Sequence, residues 1–274
     1  MAEPPDPLIQ GQRWAIEGVA FAKGKTDPKC LLWGADTMGT SSMFSGCCYA
    51  ERALNYISEG RLLQDSKLPN LSEALWTCES NIMARSSHSD ILDSGSCRFT
   101  DVQDFTSAEA LAGMKKIYSQ NGQKRYQKWV ALGKHATLPE KCFCARHLKK
   151  CHVRKAVLDC SGSMCTSYSS MGSGKKLEDK TGSLLVIYMM YQFRSGVWIV
   201  LHENVEGFIT SALTDCAESY GYGHLQIFTR PTDVGFHVGR PRKHFNCMSN
   251  YVIRCTRFQP QIVQAPSNPR NRDV

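Results

Sequence analysis

The chain has 274 residues, a formal charge of +8 and 13 cysteines. Hydrophobic residues make up 42% and charged residues 21%, ordinary globular usage that excludes collagen-like, coiled-coil and wholly disordered chains. That length suits one large domain or two small ones, with a sizeable core.

No run approaches the ~20 apolar residues of a membrane span; the longest, Leu184 to Tyr191, has 8. The opening Met-Ala-Glu-Pro-Pro-Asp is acidic and lacks an apolar signal core. An intracellular, reducing compartment and no membrane partner are expected. An odd number of cysteines argues against a disulfide scaffold. The positive charge leans toward a polyanionic partner such as nucleic acid, although many basic proteins bind nothing anionic.

Residues 1–40 read as a leader. Met43-Phe44-Ser45-Gly46 reads as a strand end, and Ala50 to Ile57 as a helix that Gly60 can end. Ala74 to Glu79 and Cys97 to Val102 are strand candidates. Ser107 to Gly133 reads as helical, and Lys141 to Lys155 as a basic, Cys/His-rich connection inside an insertion at about 105–154. Lys155 to Asp159 is a strand running into a Ser- and Gly-rich loop, Cys160 to Lys176. Thr181 to Phe193 is an apolar helix with Gly196 at its end, and Val197 to Leu201 is the clearest buried strand. A helix at Val205 to Ser219 and strands at 225–229 and 244–253 follow. Residues 259–274 are expected to be disordered. The alternation predicts an α/β fold: a mostly parallel sheet with helices on both faces. Ligands in such sheets sit beyond the carboxyl ends of the strands, where Gly46, Glu79, Asp101 and Asp159 stand.

Several motifs have competing readings. Asp159, Ser161 and Ser163 fit D-x-S-x-S, the Mg²⁺ site of von Willebrand factor A-like modules. Asp215 would then lie close in sequence for the later carboxylate, and the first 150 residues would go unexplained. Gly174-Lys175-Lys176 fails the Walker spacing, because Ser169 stands where Gly is needed and Lys176 where Ser or Thr is needed. Cys142, Cys144, His147, Cys151 and His152 are potential zinc ligands. Their spacing is not a common finger pattern, and one segment alone would have to fold around the ion. They read as incidental, and no metal is expected. Cys165 lies in a Ser/Gly loop where backbone N–H groups, Lys175 and Lys176 could stabilise a thiolate; a structural cysteine would look the same.

Taken in order, the strand ends resemble the cytosine-5 DNA methyltransferase family. Phe44-Ser45-Gly46-Cys47-Cys48-Tyr49-Ala50-Glu51 resembles its F-x-G-x-G turn. Thr77-Cys78-Glu79-Ser80-Asn81 and Phe99-Thr100-Asp101-Val102 are similar to its second and third motifs. The segment from Asp159 to Gly172 resembles the nucleophile loop around Cys165. His202-Glu203-Asn204-Val205 matches its E-N-V motif, and Val238-Gly239-Arg240-Pro241-Arg242 resembles Q-x-R-x-R. The resemblance covers about residues 40–250 and implies a Rossmann-like fold dependent on S-adenosylmethionine (AdoMet), with the catalytic domain at 41–258.

The resemblance also implies site roles. Cys165 would add to C6 of cytosine and Glu203 would act at N3, while Asn204, Arg240 and Arg242 support the loop or the base. Phe44, Ser45, Gly46, Cys47, Glu51, Glu79, Ser80, Asp101, Val102 and Asp159 would form the AdoMet site. DNA is the implied partner, with RNA a variant, and the implied location is nuclear. A non-catalytic relative that binds AdoMet or nucleic acid is the alternative. The sequence departs from the family pattern at Cys48, Met164 and Val238. A side chain at 48 would be expected to crowd the methionine moiety, and Met164 removes a φ restraint. Little of the family's target-recognition part follows Arg242, so a second chain supplying it is one expectation.

Overall fold

A computed structural model of the chain describes residues 37–249, apart from 93–94, 121–123, 169–171, 173 and 230–241. Most of the expected leader and all of the expected tail lie outside the described residues.

The elements are β1 (Met38–Met43), α1 (Tyr49–Gln64), β2 (Ser72–Cys78), α2 (Ile82–Ser86), β3 (Cys97–Phe99), α3 (Ala108–Ser119), α4 (Arg125–His135), β4 (Lys141–Cys144) and β5 (Lys149–His152). They continue with β6 (Leu158–Ser161), α5 (Lys180–Ser195), β7 (Ile199–Val205), α6 (Ser211–Ser219), β8 (Tyr222–Thr229) and β9 (Arg242–Ser249). All nine strands join one sheet in the order β5-β4-β3-β2-β1-β6-β7-β9-β8. The central strands β3-β2-β1-β6-β7 are parallel. An antiparallel hairpin closes each edge, β4–β5 on one side and β8–β9 on the other.

From β1 the chain steps one way to β2 and β3; from β6 it steps the other way to β7. Right-handed crossovers therefore put α1 and α2 on one face and α5 on the opposite face. α4 packs on α5, and α3 on α4. This is a doubly wound α/β architecture.

α5 is apolar all round because it lies between the sheet and α4. Every residue from Leu185 to Phe193 is buried, and each large apolar side chain among them contributes about 1.5–3 kcal/mol. Asp179 caps its start by accepting from the Thr181 N–H (3.1 Å). Gly196, at φ 72°, ends it. Gly182 has to be glycine, because a Cβ there would lie 2.1 Å from the Leu177 carbonyl oxygen. Trp76, Phe99, Phe105 and Tyr191 form an aromatic cluster that fastens α5 to β2 and β3.

The structure corrects several sequence-based boundaries. The expected helix at 107–133 is two helices. The N-terminus of α4 is built on the Glu178 carboxylate, which accepts from the Arg125 and Tyr126 N–H groups (2.8 and 3.4 Å) and complements the helix dipole. The segment at 141–155 is a hairpin rather than a loop; Lys141-Cys142-Phe143-Cys144 alternates exposed and buried, the strand period. α1 continues through Gly60, an interior glycine costing only about 1 kcal/mol, because the next residue, Arg61, is anchored on the Pro69 carbonyl (3.4 Å). β7 runs on to Val205, held by a seven-pair ladder with β9, so the following helix starts only at Ser211. No described helix is long and apolar enough to cross a membrane.

Candidate active site

The strand order reverses between β1 and β6, and the crevice beyond their carboxyl ends is where a doubly wound sheet accepts ligands. Asp159 lies in this seam, fully buried. Its Oδ1 accepts from the Ser41 hydroxyl (2.9 Å) and Gln192 Nε2 (2.8 Å). Its Oδ2 accepts from the Ser161 and Tyr188 hydroxyls (2.7 and 3.0 Å). Burial pushes its pKa up to about 7, against the pull of these hydrogen bonds. The Met43 N–H in turn donates to Ser161 Oγ (2.8 Å). Asp159 is thus committed to the core and does not face the crevice, where the sequence reading had put it as a cofactor residue. The Mg²⁺ reading fails on the same geometry: Asp159 and Ser161 satisfy each other, and Ser163 is tied to β7.

The β1–α1 turn has Phe44, Gly46 and Cys48 at positive φ (56°, 53° and 57°). Glu79, just past β2, accepts from the Gly46 N–H through Oε2 and from the Asn81 N–H through Oε1, both at 2.8 Å. Buried His88 meets the Gly46 carbonyl through Nε2 (2.7 Å) and the Thr77 hydroxyl through Nδ1 (3.3 Å). A carbonyl only accepts, so Nε2 carries the proton. Burial lowers the His88 pKa. Cys48 is fully buried, with its thiol turned toward Glu51 rather than into the crevice, so it does not crowd the cleft as its side chain was expected to. Glu51 is likewise turned inward, bonded to the Ser42 hydroxyl, and burial raises its pKa. It too drops out of the crevice lining. Ser45 donates to the Cys78 carbonyl (3.4 Å), and Cys47 stays half-buried in the turn.

The crevice itself combines two carboxylates with apolar walls. Glu79, Ser80 and Asp101 supply its polar side, while Phe44, Val102 and Leu184 supply apolar wall. Asp101 caps the short helix after β3 by accepting from the Gln103 N–H (2.8 Å). Cys78 at the end of β2, with Gly162 and Met164 from the loop after β6, completes the lining. Such a set suits a flat heteroaromatic group carrying hydroxyls.

Cys165 follows Met164 and is half-buried. β7 fixes its loop. Asn204 Nδ2 donates to both the Ser163 carbonyl and Ser163 Oγ, each at 3.0 Å. The Ser163 N–H donates to His202 Nε2 (3.3 Å), and the Ser163 hydroxyl meets the same nitrogen (2.9 Å). That nitrogen is an acceptor, so the ring proton sits on Nδ1. Full burial drives the His202 pKa down to about 3. Because β7 alternates, Glu203 takes the other side, where its carboxylate is paired with Arg242. A Cβ on Gly162 would lie 3.3 Å from Glu203 Oε2, so a small residue lets Glu203 stand against the start of the Cys165 loop. Beyond Cys165 the loop is held by Tyr168 on Phe208, with ring centroids 4.8 Å apart.

The structure therefore sets Asn204 and Glu203 against the loop that carries Cys165, with Arg242 paired to Glu203. It puts Phe44, Glu79, Ser80, Asp101 and Val102 in the crevice that Gly162 and Met164 of the same loop help to line. Arg240 and Val238 lie outside the described residues, as do Ser169 to Met171 of the loop. Sequence reasoning missed His88 and His202. His202 was legible: on a strand, residues 202 and 204 must share a face.

No family model matches the chain, and no curated protein matches it. Solved structures do. The Dnmt2 methyltransferase of S. pombe is 11% identical with a TM-score of 0.42, covering 82% of this chain and 52% of that one. A variant of Spodoptera frugiperda DNMT2 is 13% identical with a TM-score of 0.46, covering 85% and 56%. The Entamoeba histolytica methyltransferase EhMeth is 11% identical with a TM-score of 0.48, covering 85% and 58%. This chain spans little more than half the length of each.

The buried neutral His202 makes a pH prediction. Its folded pKa is about 3 against an ordinary 6.5. Between those values the unfolded chain binds the extra proton, so this contribution is present above about 6.5 and is lost as pH falls toward 3. Urea unfolding from pH 7 to 4 should lose stability less steeply in His202→Gln than in the parent. Equal slopes would contradict the assignment.

Proposed function

We propose that the chain is a cytosine-5 nucleic-acid methyltransferase that uses AdoMet, with Cys165 as nucleophile. One observation carries this reading. A half-buried thiol sits on a loop pinned by Asn204 and abutted by Glu203, at the switch point of the sheet, beside a cleft lined by two carboxylates.

The cleft residues fit the cofactor. Glu79 would take the ribose hydroxyls and Asp101 would face the adenine, between the apolar walls of Phe44 and Val102. A Cβ on Gly46 would meet nothing within 4 Å, so the turn leaves the approach open. Bound AdoMet supplies an electrophilic methyl group. The Cys165 thiolate adds to C6 of the cytosine, forming a C–S bond and moving electron density onto C5. Glu203 protonates or hydrogen-bonds N3, and Arg242 holds the Glu203 carboxylate in place. C5 would then take the methyl group from the sulfonium of AdoMet, with S-adenosylhomocysteine as the leaving group. Loss of the C5 proton to water or another base, with expulsion of the Cys165 thiolate, would restore the ring and release the product. The base has to leave a duplex to reach the thiol, and basic side chains would meet the phosphates. DNA is the proposed substrate; the same chemistry applies to cytosine in RNA.

A covalent trap tests this. With AdoMet and DNA carrying 5-fluorocytosine, a working enzyme stalls as an adduct, because fluorine cannot leave as a proton does. The expected result is a denaturation-resistant band that requires AdoMet and is absent in Cys165→Ser. A band that persists in Cys165→Ser overturns the assignment. For the cofactor, calorimetry should show AdoMet binding weakened roughly 10-fold or more in Glu79→Ala, since a hydrogen bond to a charged group contributes about 1.5–3 kcal/mol. Unchanged affinity would remove Glu79 from the site.

A further inference from the structure

At the opposite edge of the sheet, Cys97, Cys144, His147 and Cys151 bring their ligand atoms within 4.8 Å of one another. We propose that these four residues form a structural zinc site that clips the β4–β5 hairpin to β3. The proposal is independent of the methyltransferase reading.

The donor set is three thiols and one imidazole, a set typical of structural zinc. The spacings fit as well. With Zn–S about 2.3 Å and Zn–N about 2.0–2.1 Å, tetrahedral coordination puts sulfur and nitrogen about 3.6 Å apart. His147 Nδ1 lies 3.8, 3.4 and 3.3 Å from the sulfurs of Cys97, Cys144 and Cys151. One ring nitrogen thus faces three sulfurs, an arrangement that weak S–H hydrogen bonds alone give little reason for.

The surroundings also suit thiolate ligands. The Arg98 N–H donates to Cys144 Sγ (3.3 Å), the kind of outer-shell bond that orients a ligand and stabilises its charge. Cys142 and His152 are excluded. The Cys142 thiol donates to the Asp104 carbonyl (3.2 Å), and His152 follows Cys151 on the opposite face of β5.

The fold gives the clip a purpose. The β4–β5 hairpin meets β3 through a single register pair, Phe99 with Cys144. Phe143 on its outer face is 44% accessible, and Leu148 in its turn 77%. A two-stranded hairpin is marginal alone in water. Zinc bonded to Cys97 on β3 and to three hairpin residues would supply the missing attachment. It would also brace the strand that leads into Asp101.

The test uses the full chain purified with zinc present and dialysed. Elemental analysis should find one zinc per chain in the parent and in Cys142→Ser, and background levels in Cys97→Ser and Cys151→Ser. Should those variants fail to fold, Co²⁺ replacement in the parent decides. Intense d–d bands of a tetrahedral centre, with thiolate charge transfer, are expected, and chelation should raise hydrogen exchange in residues 141–152. No stoichiometric metal in the reconstituted parent, zinc retained in folded Cys97→Ser, octahedral Co²⁺ spectra or a disulfide among these thiols would each overturn the proposal.

Discussion

Asp159 accepts hydrogen bonds from Ser41 on β1, Ser161 on β6, and Tyr188 and Gln192 on α5. These are the three elements that meet where the sheet reverses direction. A polar group buried without partners costs several kcal/mol, so the chain can place a carboxylate here only by fixing all three elements around it. Once they are fixed, the loops after β1 and β6 leave the sheet side by side. The crevice between them follows from that constraint rather than from contacts within the loops.

β7 adds the second level of control. Its alternation sends His202 and Asn204 to one side, where they hold Ser163, and Glu203 to the other, where Arg242 holds it. Cys165 is two residues from the pinned Ser163. A strand has thus been used to position a loop, the more reliable order, since elements place side chains more accurately than loops do.

Much of this was legible in the sequence because it follows local rules. Gly196 ends α5 as its left-handed freedom allows, and the strand ends carry the acidic residues that line the crevice. The run at 197–201 leads into β7, but the strand starts only at Ile199 and just Val197 and Val200 of the run are buried, with Trp198 and Leu201 exposed. What was not legible depends on long-range burial. Asp159 and Glu51 sit at motif positions, and nothing local says that Ser41, Ser42, Tyr188 and Gln192 will claim them. The hairpin at 141–152 was hidden because its five Cys and His residues mask the two-residue alternation. Three of them, Cys144, His147 and Cys151, cluster with Cys97, which comes from β3 and meets the hairpin only through the sheet.

Methyl transfer to C5 of cytosine is the chemistry proposed for this chain. The most direct measurement is to incubate the chain with isotopically labelled AdoMet and cytosine-containing DNA or RNA, digest the product to nucleosides, and locate the label by mass spectrometry. Labelled 5-methylcytosine is expected from the parent and not from Cys165→Ser. Label at N4 of cytosine or on adenine, or transfer undiminished in Cys165→Ser, would contradict it.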